Sequence, residues 1–121
     1  MVNYVVLHGS LTRDAQTQTL ASEAVLVRLD LRTRTADGPA DTVPVVWFEP
    51  PAWAATLEAE ADLVVVGRVR RRFFASGGTT QSRTEVVADR VVRAGSRRRA
   101  SRALVEAAVS LEAAAAALER A

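Results

Sequence analysis

Between residues 24 and 35 the chain alternates in steps of two. Val25, Val27, Leu29, Leu31 and Thr33 fall on one side, and Arg28, Asp30, Arg32 and Arg34 on the other. Two residues is the period of a pleated strand; a helical period would scatter the same side chains around its surface. The segment is therefore a strand with a core on one face and solvent or a ligand on the other. Such a strand is stable only with partners that bury the same face, and the segments flanking it decide what those partners are.

Residues 2–11 read as a preceding strand, with Gly9 inside it marking a bend or bulge. Residues 12–23 are polar and turn-like, and Ala36-Asp37-Gly38-Pro39-Ala40-Asp41 is a loop. A third strand runs from Thr42 to Glu49, with Val43, Val45 and Trp47 on one face and Pro44, Val46 and Phe48 on the other. Pro50-Pro51 ends it. Pro51 suits the first position of a helix, so residues 51–61 are predicted to form a short one. A fourth strand spans Asp62 to Phe74, Ala75-Ser76-Gly77-Gly78 makes a hairpin tip, and a fifth strand covers residues 84–92. Three strands, a helix and two more strands is the order of an OB-fold, an all-β, five-stranded Greek-key barrel. An SH3-like barrel lacks the helix between strands three and four.

After Gly95 the composition changes. Residues 1–95 are expected to form the barrel, residues 96–99 (Ser-Arg-Arg-Arg) a basic linker, and residues 100–121 an Ala-rich helix. Leu104, Ala108, Leu111, Ala115 and Leu118 are spaced four, three, four, three, the seam of a short heptad pattern. A helix of this length is marginal alone in water. It must pack on its own barrel or on another subunit, and the sequence leaves both open.

Several classes of function are not expected. Cysteine is absent, which excludes disulfides and thiolate metal sites. No apolar run is long enough to span a membrane. No basic segment followed by an apolar one opens the chain, so no signal peptide is expected, and the assignment is cytoplasmic, at the nucleoid. His8 is the one histidine and has no metal-ligand partners at suitable spacing. Glu58 and Glu60 read as surface acids. No nucleophile–base arrangement, phosphate-binding loop or cofactor fingerprint is present, so neither an enzyme nor a cofactor is expected.

Charge is distributed unevenly. All 16 basic residues are Arg. Residues 68–99 hold ten of them against Glu85 and Asp89, whereas residues 1–67 hold four against nine acids. Such asymmetry suggests a polyanionic ligand, and Arg stacks on bases and forks onto phosphate better than Lys does.

The opening residues Val2-Asn3-Tyr4-Val5-Val6-Leu7-His8-Gly9-Ser10-Leu11-Thr12-Arg13-Asp14 resemble the first strand of bacterial single-stranded DNA-binding proteins, with Asn3, Leu7, Gly9, Leu11 and Asp14 carrying the match. Val45-Val46-Trp47-Phe48 resembles that family's third strand, and Ala52 the residue that begins its helix. Leu63 to Val69 resembles its apolar strand followed by Gly and basic residues. Thr84-Glu85-Val86-Val87-Ala88 resembles its closing strand. The resemblance covers about residues 2–94. It implies an OB-fold that binds single-stranded DNA with little sequence preference, in replication, recombination or repair. Arg28, Arg32, Arg34, Arg68, Arg70 and Arg72 would follow the phosphates, and Phe48 and Phe74 (or Phe73 beside it) would stack bases. It also implies a homodimer or homotetramer, with residues 2–11 as a pairing edge. Trp47 is expected in the core or at a subunit interface, and Trp53 beneath the barrel end.

The sequence also departs from that family. Thr42 stands where the third strand usually starts with Trp, and the loop after the second strand has no Trp. The family's acidic C-terminal tail is not expected here, the Ala-rich helix taking its place. Stacking is thereby weakened, since each stacked base contributes about 1–3 kcal/mol. A second reading follows: an oligomerisation or protein-interaction module, or a primosome-type accessory protein, with weak or lost DNA binding and a protein partner on the C-terminal helix.

Overall fold

A computed structural model describes residues 1–121. Its strands are β1 (Val5–Leu11), β2 (Gln16–Thr19), β3 (Val25–Arg34), β4 (Ala40–Phe48), β5 (Asp62–Ser76) and β6 (Thr79–Arg93); the C-terminal helix is α1 (Arg97–Arg120). The alternating segment is β3. It runs antiparallel to β4, with Val27 opposite Trp47 and Leu29 opposite Val45. Strand β4 pairs in parallel with β6 at Val45/Val86 and Val46/Val87, β6 pairs antiparallel with β5, and β5 with β1. Strand β1 then meets β3 at Ser10/Arg32 and Leu11/Leu31. The circuit closes into a five-stranded mixed barrel, the OB-fold expected from the element order.

The barrel interior follows from the alternation. Leu11, Val27, Leu29, Leu31, Val45, Trp47, Leu57, Leu63, Val65, Val86, Ala88 and Val91 form one buried cluster. Each fully buried Leu or Val contributes about 1.5–3 kcal/mol relative to exposure. Trp47 lies in this core and meets Trp53 edge-on, with ring centroids 5.4 Å apart. Gly9 and Gly67 allow close strand approach: a Cβ on either would sit 2.1 Å from a backbone oxygen, of Arg32 and Val87 respectively. At Gly67 the β5–β6 register also shifts, bending the hairpin around the barrel.

Two polar residues of the opening motif serve this architecture. The Asn3 amide donates to the Val69 carbonyl (2.7 Å) and accepts from the Val69 N–H (3.0 Å), so a side chain extends the β1–β5 ladder. Asp14 Oδ1 accepts from the Ala59 N–H at 2.9 Å, fixing the chain that leads into β5.

The structure corrects four expectations. Residues 16–19, read as part of a polar turn region, form β2 and pair with β3. All four are exposed, so no apolar alternation announced the strand. The helix predicted over 51–61 is a short 3-10 segment, Ala52–Thr56. It stops because Leu57 turns into the core and its carbonyl accepts from Ala15, while Ala54 is buried beside it. Strand β6 begins at Thr79 rather than residue 84, since its polar first residues keep pairing with β5 up to the Ser76/Thr79 turn. Arg97–Arg99, expected as a linker, form the first turn of α1, with Ser96 at the N-cap.

Helix α1 lies on the outer face of β5 and β6. Ala103 is buried with Val64 and Val66, and Tyr4, Val92, Ala94 and Ala100 pack around them. Arg90 and Glu106 form an ion pair at one flank. No helix of the chain is long and apolar enough to cross a membrane. Along β1, pairing with β3 is confined to Ser10 and Leu11, which leaves the other edge of Val5 to Gly9 without a strand partner.

Candidate nucleic-acid interface

On β5, strand parity puts Arg68, Arg70, Arg72 and Phe74 on the outward face, opposite Val87, Glu85, Arg83 and Gln81 of β6. On β3 and β4 the same outward face carries Leu26, Arg28, Val46 and Phe48. Curvature of the barrel brings these sets together. Gln18, Leu20, Leu26, Arg28, Val46, Phe48, Arg70 and Arg72 line one open cleft of about 320 Å³. Its floor is apolar (Leu26 and Val46 are buried) and its walls are cationic.

Glu85 organises the cleft. Its side chain is fully buried. One carboxylate oxygen accepts from Arg70 Nε (2.9 Å) and Nη2 (2.7 Å), and the other from Arg72 Nε (3.4 Å). Both arginines are about one-third exposed, so one side of each guanidinium is held from below while the other reaches solvent. Each also lies over an aromatic ring: Arg70 is 5.2 Å from the Phe48 centroid and Arg72 is 5.0 Å from that of Phe74. Two arginine–phenylalanine stacks thus stand side by side on a shared buried carboxylate. Guanidinium planes and aromatic rings are both surfaces on which nucleobases stack.

Beside the stacks lies a second depression, lined by Arg13, Gln16, Arg28, Asp30, Pro44, Val45 and Arg83, with Arg28 common to both. Arg13 is paired with Asp30 at 3.1 Å. Arg28 donates only to the Gln18 amide, at 2.9 Å. Arg83 faces Arg72 across the hairpin. Like charges directly opposite in a sheet are unfavourable, and neither Arg28 nor Arg83 has an acidic partner. These two are cations without counterions, the electrostatic requirement for holding a phosphate backbone.

Of the eight residues singled out in the sequence, Arg28, Phe48, Arg70, Arg72 and Phe74 come together here. Arg68 continues the row on β5 and is paired with Asp89 at 3.1 Å. Arg32 and Arg34 lie elsewhere, in a polar depression with His8, Ser10 and Asp62. Arg32 is held there by Glu60 (2.9 Å), and His8 Nε2 lies 3.0 Å from Asp62 Oδ1. Phe73 points to the opposite face of the hairpin, under Arg71 at 5.8 Å. The Arg-rich stretch is therefore not one stripe: its members are divided among the cleft, the far face of the hairpin, Trp53 (covered by Arg93 at 5.5 Å) and α1. Sequence reading missed Arg83 and the role of Glu85. Counting outward from Gly77-Gly78 finds both, because residue numbers of hairpin partners sum to a constant from Ser76/Thr79 to Arg68/Val87.

Among solved structures, the chain is similar to the wild-type single-stranded DNA-binding protein of Thermus aquaticus, with a TM-score of 0.62 and 28% identity over 76% of this chain. The match takes in 40% of that protein, so the chain accounts for less than half of its length. No protein-family model and no curated protein sequence matches the chain. The resemblance read in the strands and the structural likeness agree on an OB-fold like that of single-stranded DNA-binding proteins.

Proposed function

We propose that the outward face of β2 to β6 binds single-stranded DNA without sequence preference, serving replication, recombination or repair in the cytoplasm as a binding protein rather than an enzyme. The observation that carries this reading is the adjacency of two kinds of group. The Phe48–Arg70 and Phe74–Arg72 stacks offer π surfaces to bases, and the unpaired Arg28 and Arg83 beside them offer charge to phosphates. Single strands are held by this combination, because every base has a π face and every nucleotide a phosphate. A duplex hides its base faces and would meet only the cations. The likeness to a protein whose name records single-stranded DNA binding supports the assignment. A homo-oligomer accords with the unpaired β1 edge, a place where a second chain could add a strand.

The test is anisotropy of a labelled oligo-dT at about 20 mM and about 300 mM salt, with a duplex control. Binding to oligo-dT that exceeds duplex binding and persists at the higher salt is expected. Binding that disappears with salt and ignores strandedness would leave a cationic surface without base stacking. No binding at either salt would overturn the proposal. It would favour the protein-interaction reading, which the exposed apolar side chains of α1 also support.

A further inference from the structure

Helix α1 docks on the barrel with the opposite of the usual preference. Its small residues, Ala103 and Ala107, are buried against the barrel. Its large apolar residues are exposed: Leu104 by 45%, Leu111 by 43% and Leu118 by 61%. A helix stabilised only by its own barrel would turn leucine inward and leave alanine to solvent. At 24 residues, or about 36 Å, α1 presents a long leucine face on the side away from its Arg90–Glu106 flank.

We propose that this face pairs with α1 of a second copy of the chain, antiparallel, along Leu104, Ala108, Leu111, Ala115 and Leu118. Three observations select this occupant. First, the seam reads Leu-Ala-Leu-Ala-Leu in either direction, and Leu104 and Leu118 are each seven residues from Leu111. In an antiparallel pair centred on Leu111, that residue meets its own copy, Leu104 meets Leu118 of the partner subunit, and the alanines leave room for the leucines between them. Leucine thus faces leucine in three layers, with small alanine layers between them. Second, Arg97, Arg98, Arg99 and Arg102 crowd the helix start, while Glu112, Glu119 and a single arginine, Arg120, lie toward its end. Parallel pairing would set two four-arginine clusters side by side, whereas antiparallel pairing holds the two clusters at opposite ends of the seam. Third, the helix dipoles oppose in the antiparallel arrangement and add in the parallel one. The pairing uses a surface separate from the cleft and stands whether or not the cleft binds DNA.

The chain has no cysteine, so single cysteines report pairing directly. Full-length Leu104→Cys, Leu111→Cys and Leu118→Cys proteins are treated with a bis-maleimide spanning about 8 Å, close to the separation of packed helix axes. Leu111→Cys is expected to form crosslinked dimers alone. Leu104→Cys and Leu118→Cys are expected to crosslink when mixed and not separately. Self-crosslinking of Leu104→Cys and of Leu118→Cys would mean parallel pairing and overturn the proposal. So would the absence of crosslinks in every combination. Independently, Leu111→Glu should weaken association in sedimentation equilibrium by at least about 100-fold. Because Leu111 is exposed in the single chain, its circular dichroism and melting temperature as a monomer should not change. An unaltered association constant would refute the seam.

Discussion

Glu85→Gln should weaken the fold and steepen the salt dependence of DNA binding in the same molecule. Removing one partner from a buried ion pair costs about 3–5 kcal/mol. Here Gln keeps the shape and one acceptor oxygen, and Arg70 and Arg72 reach solvent, so about 2 kcal/mol is the appropriate estimate. With an unfolding entropy of about 2.1 cal/mol/K per residue, a chain of 121 residues melts about 8 °C lower for that loss. Binding should change in a different way. Arg28, Arg70, Arg72 and Arg83 face the groove against the single carboxylate of Glu85, leaving three uncompensated charges in the native protein and four in the variant. At a slope of about 0.7 per neutralised phosphate, log affinity against log salt steepens from about −2.1 to about −2.8. Between about 50 and about 200 mM salt the native protein should lose about 18-fold in affinity and the variant about 48-fold. The assays are calorimetry for the melt and oligo-dT anisotropy across a salt series below it. A slope equal to the native one, with the variant still folded, would refute the claim that Glu85 neutralises groove charge.

Phe48→Ala removes one stacking surface and should weaken oligo-dT binding by about 5- to 150-fold without changing the salt slope, in the same titration. Arg28→Ala and Arg83→Ala should each reduce the slope by about 0.7, whereas Arg32→Ala, which removes a residue already paired with Glu60, should not. Gly67→Ala would press a methyl group to 2.1 Å from the Val87 carbonyl oxygen; with backbone on both sides it should cost at least about 2 kcal/mol, read as a lower denaturant midpoint.

The barrel was legible in the sequence because its signals are local. The alternation of β3, the Pro-Pro stop after β4 and the Gly-Gly turn of the β5–β6 hairpin each mark an element by itself. Strand β2 was not legible: Gln16-Thr17-Gln18-Thr19 has no buried side chain, and only its backbone pairing with β3 makes it a strand. The helix after Pro51 failed for the opposite reason. Its composition favours a helix, but plugging the barrel end requires Leu57 to turn inward after five 3-10 residues. In the candidate site, parity along β5 correctly put Arg68, Arg70, Arg72 and Phe74 on one face. Parity along β3 puts Arg28, Arg32 and Arg34 on one face as well, yet four residues of strand is about 13 Å. Over that distance Arg32 and Arg34 reach a different depression. The motif residues that carried the resemblance proved structural. Asn3 and Asp14 tie backbone, Leu11 fills the core and Gly9 admits a neighbouring strand. They mark the fold, while the groove is written in residues outside the opening motif.

The position of the two indoles and the one phenol also determines what light can report. Trp47 is inside the barrel, Trp53 rests against it under Arg93, and Tyr4 packs beneath α1. None of the three lines the cleft. Intrinsic tryptophan emission is therefore a gauge of barrel integrity, and tyrosine emission a gauge of helix seating. A strand of DNA lying across Phe48 and Phe74 would leave both optically silent, so titrations that rely on the protein's own fluorescence would score a functional groove as an empty one.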